Sequence, residues 1–157
     1  MIRVAIVGCP NVGKSTLMNQ LINWKVSAVS SKVHTTRTNV VGVFVEENTQ
    51  IEFIDTPGLV NHKHLARHKL ERSMLTDVHA SLVKSDVIAI LADVSNERER
   101  QKLNRGILEL LRKNRDKESL LVLNKVDALK KKRDLLDITS TLTSGIVGGN
   151  PIHKPDR

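Results

Sequence analysis

The chain has 157 residues, one domain's worth, with 39% hydrophobic and 27% charged residues, which is ordinary for a globular protein able to bury a core. No apolar run approaches the ~20 residues of a membrane span, and the single cysteine, Cys9, excludes an intramolecular disulfide framework and a cysteine-based zinc cage. The net charge of +8 lies in one stretch: residues 98–133 hold 13 basic and 5 acidic side chains, and the rest balance at 12 and 12.

Taken in chain order, Ile2–Val7 is a continuous apolar run, the pattern of a strand buried on both faces. The chain opens straight into this strand, so no secretory signal is expected. A glycine-containing loop follows, then a helix over Lys14–Asn23 with Leu17, Leu21 and Ile22 on its apolar face. Val29–Asn39, rich in Ser and Thr, reads as a loop. Val40–Glu46 and Gln50–Asp55 read as two strands with a hairpin-length connection. A loop at Thr56-Pro57-Gly58 and a helix within His64–Val83 come next, then a strand at Val87–Asp93. Glu97–Arg112 carries a helical stripe of Leu103, Ile107, Leu110 and Leu111. Leu120–Asn124 is a further strand and Leu129–Thr143 a further amphipathic helix. From Ser144 the periodicity ends, and Gly145, Gly148-Gly149, Pro151 and Pro155 mark an irregular tail over 144–157. The expected architecture is α/β: a P-loop NTPase over 1–143 with a mostly parallel central sheet and one antiparallel hairpin.

Three segments carry chemistry, and each sits at the end of an expected strand. Gly8-Cys9-Pro10-Asn11-Val12-Gly13-Lys14-Ser15 fits G-x-x-x-x-G-K-[ST] between a buried strand and a helix. Gly8 and Gly13 let the backbone curl so that successive N–H groups face phosphate oxygens, and the helix start at Lys14–Thr16 adds a favourable dipole for anions. Lys14 is placed to reach the β- and γ-phosphates and the Ser15 hydroxyl to ligate Mg²⁺. Asp55-Thr56-Pro57-Gly58 puts an acid where strand ends meet a ligand crevice. Asp55 is expected to hold Mg²⁺ through water, and the Gly58 N–H to meet the γ-phosphate. Asn124-Lys125-Val126-Asp127 selects the base. Guanine offers two donors that one carboxylate accepts together, whereas adenine leaves Asp127 poorly satisfied. Lys125 is expected to lay its stem along the base. A plainer role for Asp127, capping the helix that follows, stands beside this one.

These three motifs, with His34-Thr35-Thr36-Arg37 and Leu59, resemble the Era family of KH-domain ribosome-assembly GTPases, from Ile2 to about Val147. Leu135–Val147 and the histidine-rich 61–70 segment favour its mitochondrial animal branch, which implies the mitochondrial matrix, with the cytoplasm as the alternative. The resemblance implies GTP hydrolysis to GDP and phosphate with Mg²⁺, in aid of small-subunit assembly through rRNA or ribosomal proteins. Peripheral membrane contact is a further partner class, without a transmembrane segment. Thr36 matches the switch threonine that meets Mg²⁺ and the γ-phosphate, with Thr35 as the neighbouring alternative and a plain surface hydroxyl as the bland one. Lys14, Thr36 and Gly58 are thereby the candidate catalytic residues. Leu59 stands where many small GTPases place a glutamine that orients water, and leucine has neither donor nor acceptor. Relatives with this feature use K⁺, held partly by the asparagine matched by Asn11; otherwise Asn11 only stabilises the loop.

The family pattern continues with one more strand and helix, a Ser-Ala loop supporting guanine, and a KH domain. No segment here matches them, so Leu120–Asn124 is expected to be an open sheet edge, and the chain either a fragment of a longer protein, the favoured reading, or a marginally stable variant. The competing function is a nucleotide-binding module with little hydrolysis that docks on RNA or a ribosomal partner through the basic 98–133 stretch, which otherwise is a solvated helix surface.

Overall fold

A computed structural model describes residues 1–24, 41–56 and 78–152. The central sheet contains β1 (Ile2–Gly8), β2 (Val41–Glu46), β3 (Thr49–Asp55), β4 (Val87–Asp93) and β5 (Glu118–Asn124), in the order β2-β3-β1-β4-β5. β1 runs parallel to both β3 and β4, β4 runs parallel to β5, and β2 pairs antiparallel with β3. The mostly parallel sheet with one antiparallel hairpin is therefore as expected. The chain leaves β1 toward β3 on one side and β4 on the other, so the loop after β1 lies at the point where strand order reverses. Open α/β sheets form their ligand crevices there.

Burial explains the strands. Ala5, Ile6 and Val7 are all buried, because β1 is covered on both faces. Alternate residues then sort into two clusters. Ala5, Val7, Ile88 and Ile90 pack with Val78 and Leu82 of α2 (residues 78–84) and with Ile107 and Leu110. On the other face Ile6 and Ala89 meet Met18 of α1 (Lys14–Trp24), with Ile22 and Phe53 at the margin. β5 ends the sheet among the described residues, and its Leu120 is 56% exposed.

Three expected elements differ. The helix expected over Glu97–Arg112 is two helices, α3 (Glu97–Gln101) and α4 (Arg105–Lys113). Lys102 between them is extended, and the Asn104 side chain accepts from the Gly106 N–H, a helix start that competes with continuation from α3. The apolar stripe survives the break, since Leu103 and Leu111 still pack on the first cluster. The helix expected from Leu129 starts instead at Asp134, as α5 (Asp134–Leu142). Lys130, Lys131, Lys132 and Arg133 precede it, and four cations within a first turn would oppose the helix dipole; Asp134 and Asp137 suit it. Leu129 is buried with Val94 and Ile138 and anchors this connection. Part of the expected irregular tail is ordered: β6 (Ile146–Val147) and β7 (Asn150–Pro151) pair antiparallel around Gly148-Gly149. Both glycines have positive φ, 55° and 78°, as a two-residue hairpin turn requires.

Candidate functional site

The loop after β1 turns within five residues into α1, and two glycines make that turn sterically feasible. A Cβ on Gly8 would lie 2.7 Å from the Leu91 carbonyl oxygen and 2.9 Å from Val12 Cγ2. A Cβ on Gly13, whose φ is +98°, would lie 2.5 Å from Asn124 Nδ2. Asn11 also takes a left-handed backbone, at φ 62°. Val12 is buried and pins the loop from below, whereas Pro10, Asn11, Ser15 and Thr16 are exposed. The helix begins with the Leu17 N–H donating to the Gly13 carbonyl.

Lys14 is buried, and its ammonium donates to the carbonyls of Gly8 (3.2 Å) and Cys9 (2.9 Å). Burial pushes its pKa below the ordinary lysine value, against the opposing pull of Asp55, Cys9 and Glu99. The neighbouring Cys9 thiol is raised, by burial first and Glu99 second, so it is no ready nucleophile.

Parallel pairing of β1 with β3 sets Ile6 opposite Asp55 and so brings the strand-end acid beside the loop. The Ser15 hydroxyl donates to Asp55 Oδ2 at 3.0 Å. Asp55 Oδ1 is buried and has no hydrogen-bond partner among the described residues. The Ser15 hydroxyl and the two Asp55 carboxylate oxygens form a hard-oxygen donor set that fits Mg²⁺, directly or through water. Next in the chain, buried Thr56 donates its hydroxyl to the Ile6 carbonyl at 2.6 Å, fixing where β3 ends.

The third motif closes on the first. β4 pairs with β5 so that Asp93 is opposite Asn124. Asn124 Nδ2 donates to the Val12 carbonyl at 2.7 Å. Lys125 has a left-handed backbone (φ 59°, ψ 37°), and its ammonium donates to the Asn11 carbonyl (3.0 Å) and to Asp93 Oδ2 (2.6 Å). Asp127 lies exposed in the one-turn 3-10 helix Val126–Ala128. It does not cap the next helix, whose N-cap position is Arg133.

Of the residues singled out in sequence, Gly8, Pro10, Asn11, Val12, Gly13, Lys14, Ser15, Thr16, Asp55, Asn124, Lys125 and Asp127 all gather at the carboxyl end of the sheet. Thr36 and Gly58, with Thr35 and Leu59, lie outside the described residues. Sequence reading passed over Asp93 and Thr56. Their signal was available: Asp93 is an acid ending a buried strand, as Asp55 is. Among the described residues no group of three or more His, Cys, Asp and Glu is arranged to hold a metal, and no helix is long and apolar enough to cross a membrane.

Residues 3–125 match the family described as 50S ribosome-binding GTPase, a span that takes in the phosphate loop, Asp55 and Asn124-Lys125. The chain belongs to that family. Within it, this GTPase domain is of the Era type. It is 53% identical over 152 residues to the mitochondrial GTPase Era of Danio rerio, covering 97% of this chain and 34% of that protein. It is 42% identical over 127 residues to GTPase Era of Brucella suis, covering 79% of this chain and 38% of that protein. Among solved structures, Era in complex with MgGDPNP and nucleotides 1506–1542 of 16S ribosomal RNA superposes with a TM-score of 0.64 at 35% identity, covering 88% of this chain and 45% of that one. The G domain of the T. maritima FeoB iron transporter gives a TM-score of 0.59 at 25% identity, over 90% of this chain and 84% of that one. The chain thus has the P-loop GTPase fold and spans about a third of the length of the curated relatives it matches.

Proposed function

We propose that this domain binds guanine nucleotides and hydrolyses GTP to GDP and phosphate, as the GTPase part of an Era-like protein that assists small ribosomal subunit assembly through rRNA in the mitochondrial matrix. The observation that carries the nucleotide reading is the pair of bonds from Asn124 and Lys125 onto the Val12 and Asn11 carbonyls. Those bonds set the base-selecting segment and the phosphate loop as two walls of one crevice. The likeness to mitochondrial Era and to an RNA-bound Era supports the wider role.

In this reading the backbone N–H groups of residues 8–16, Pro10 excepted, cradle the phosphates. Lys14 leaves the Gly8 and Cys9 carbonyls to meet the β- and γ-phosphates, where its charge offsets that developing in the transition state. Ser15 and Asp55, with Thr36, would hold Mg²⁺, which supplies charge neutralisation across the phosphates. Gly58 would donate to the γ-phosphate. Water attacks the γ-phosphorus, and the bond to the β-phosphate oxygen breaks. Asp127 accepts both guanine donors, and Lys125 lies along the base.

The test is a titration with fluorescent GDP in Mg²⁺, competed with GTP and then ATP. Displacement by GTP and not by ATP is expected, and equal displacement by both would overturn the guanine reading. Asp127→Asn sharpens it: an amide donates where guanine also donates, so preference should move to xanthine nucleotides, which carry a carbonyl in place of the amine. The second reading, a nucleotide-binding module with little hydrolysis that docks on RNA, is favoured by the exposed run Lys130, Lys131, Lys132 and Arg133. Turnover in KCl against NaCl separates the two. Activity that is lost in Na⁺ supports K⁺-assisted hydrolysis, and no turnover in either salt leaves the binding module.

A further inference from the structure

Among the described residues Asp93 is the one buried carboxylate, 8% exposed at the carboxyl end of β4. All of its polar atoms near the crevice are engaged. Oδ1 accepts from the Ser95 N–H (2.8 Å) and hydroxyl (2.5 Å), Oδ2 accepts from Lys125 Nζ (2.6 Å), and its own N–H donates to Glu99 Oε2 (3.0 Å). The Ser95 bonds form a local turn that one oxygen of an asparagine could close equally well. The second oxygen has a different task. It faces an ammonium whose backbone is left-handed, a conformation that lysine adopts only when its surroundings hold it.

Lys125 lies two residues before Asp127, and its ammonium is shared between Asp93 and the Asn11 carbonyl. The carboxylate therefore sits at one end of a chain of contacts, Asp93 to Lys125 to the phosphate loop. We infer that Asp93 is a positioning residue for guanine recognition: its carboxylate fixes the Lys125 side chain and with it the left-handed turn that sets Asp127 beside the phosphate loop. Burial alone would raise the Asp93 pKa, but the bonds from Lys125 and Ser95 outweigh it and hold the pKa below the ordinary carboxylate value, so the group is charged at neutral pH. This inference rests on the guanine-nucleotide reading above.

The test compares GDP with IDP on the 157-residue chain, because hypoxanthine lacks the exocyclic amine that Asp127 would accept from. In the wild type GDP should bind more tightly than IDP. Asp93→Asn keeps the Ser95 turn and the volume, and should weaken GDP by about 10-fold or more, with most of the GDP-over-IDP preference lost. Lys125→Met should produce the same loss, and adding Asp93→Asn to it should cost less than about twofold further, since the two act as one unit. Asp93→Glu, which keeps the charge, should retain part of the preference. A folded Asp93→Asn protein with the wild-type GDP-to-IDP ratio overturns the proposal, as do additive losses in the double variant. Should Asp93→Asn fail to fold, Lys125→Met decides alone, because a wild-type ratio there leaves Asp93 nothing to act through. A wild type that binds GDP and IDP equally would instead overturn the guanine reading, and this inference with it.

Discussion

The two ends of the central sheet are both rich in polar contacts, and they use them differently. At the amino end the groups satisfy one another. The Arg3 N–H donates to Asp86 Oδ2 and the Asp86 N–H to the Arg3 carbonyl, both at 2.8 Å. Arg3 also pairs with Glu52 at 3.1 Å, and Lys117 donates to the Ser85 carbonyl. At the carboxyl end, three residues, Asn11, Gly13 and Lys125, take left-handed backbones, Lys14 is a buried cation, and Asp55 keeps a buried oxygen without a partner among the described residues. Such features cost free energy and persist where a ligand gives them a use. The contrast teaches that one sheet can carry stabilising contacts at one end and poised ones at the other. Sequence order does not separate them, because β1 contributes to both.

This contrast can be broken most sharply at Lys14. Lys14→Met should weaken GDP binding by about 100-fold, the scale of a lost charge-assisted contact. The nucleotide-free protein should melt no lower than wild type, because the substitution removes a desolvated charge; calorimetric titration and a thermal melt read the two halves. Gly13→Ala should instead damage the fold at the carboxyl end, by about 1–3 kcal/mol in chemical denaturation, since its φ of +98° disfavours a side chain and the new methyl meets Asn124.

The pH dependence of binding sharpens the same point. Lys14 has a lowered pKa in the nucleotide-free protein, and phosphates would raise it again. Binding should therefore take up a proton at alkaline pH. GDP affinity should be full below the lowered pKa and fall as pH rises through it, by at most about tenfold per pH unit, beginning below the ordinary lysine range. Proton uptake measured in buffers of different ionisation enthalpy checks this. The smallest effect belongs to the amino end. Arg3→Ala removes a half-exposed ion pair and should cost less than about 1 kcal/mol, with GDP affinity unchanged within twofold.

The fold was legible where period and chemistry agreed. Ile2–Val7 and Val87–Asp93 read as buried strands because both faces are covered, and the motifs at strand ends could be placed on one side of a parallel sheet from the sequence. Helix limits were less legible. The stripe Leu103, Ile107, Leu110 and Leu111 has helical spacing, yet a cap at Asn104 divides it, and capping competes locally in a way that apolar spacing does not report. The run Lys130–Arg133 looked helical by continuity, but the dipole favours the acids at Asp134 and Asp137 as the start. Of the site, the phosphate loop and the Asn124–Asp127 segment were readable from residue types. The link between them was not. Asp93 meets Lys125 only through strand register, and register follows from pairing across more than thirty residues rather than from any local pattern.

The bond from Asn124 to the Val12 carbonyl joins residues 112 apart in the chain, and that from Lys125 to Asn11 joins residues 114 apart. On a translating ribosome, at roughly 5–20 residues per second, the phosphate loop emerges on the order of ten seconds before the strand that completes it. Until then the Asn11 and Val12 carbonyls lack the partners that Lys125 and Asn124 bring. On the proposed function, capture of nucleotide is thus a late event in the life of the nascent chain. On that reading a ligand-loaded loop reports that β5 has been made and placed beside β4.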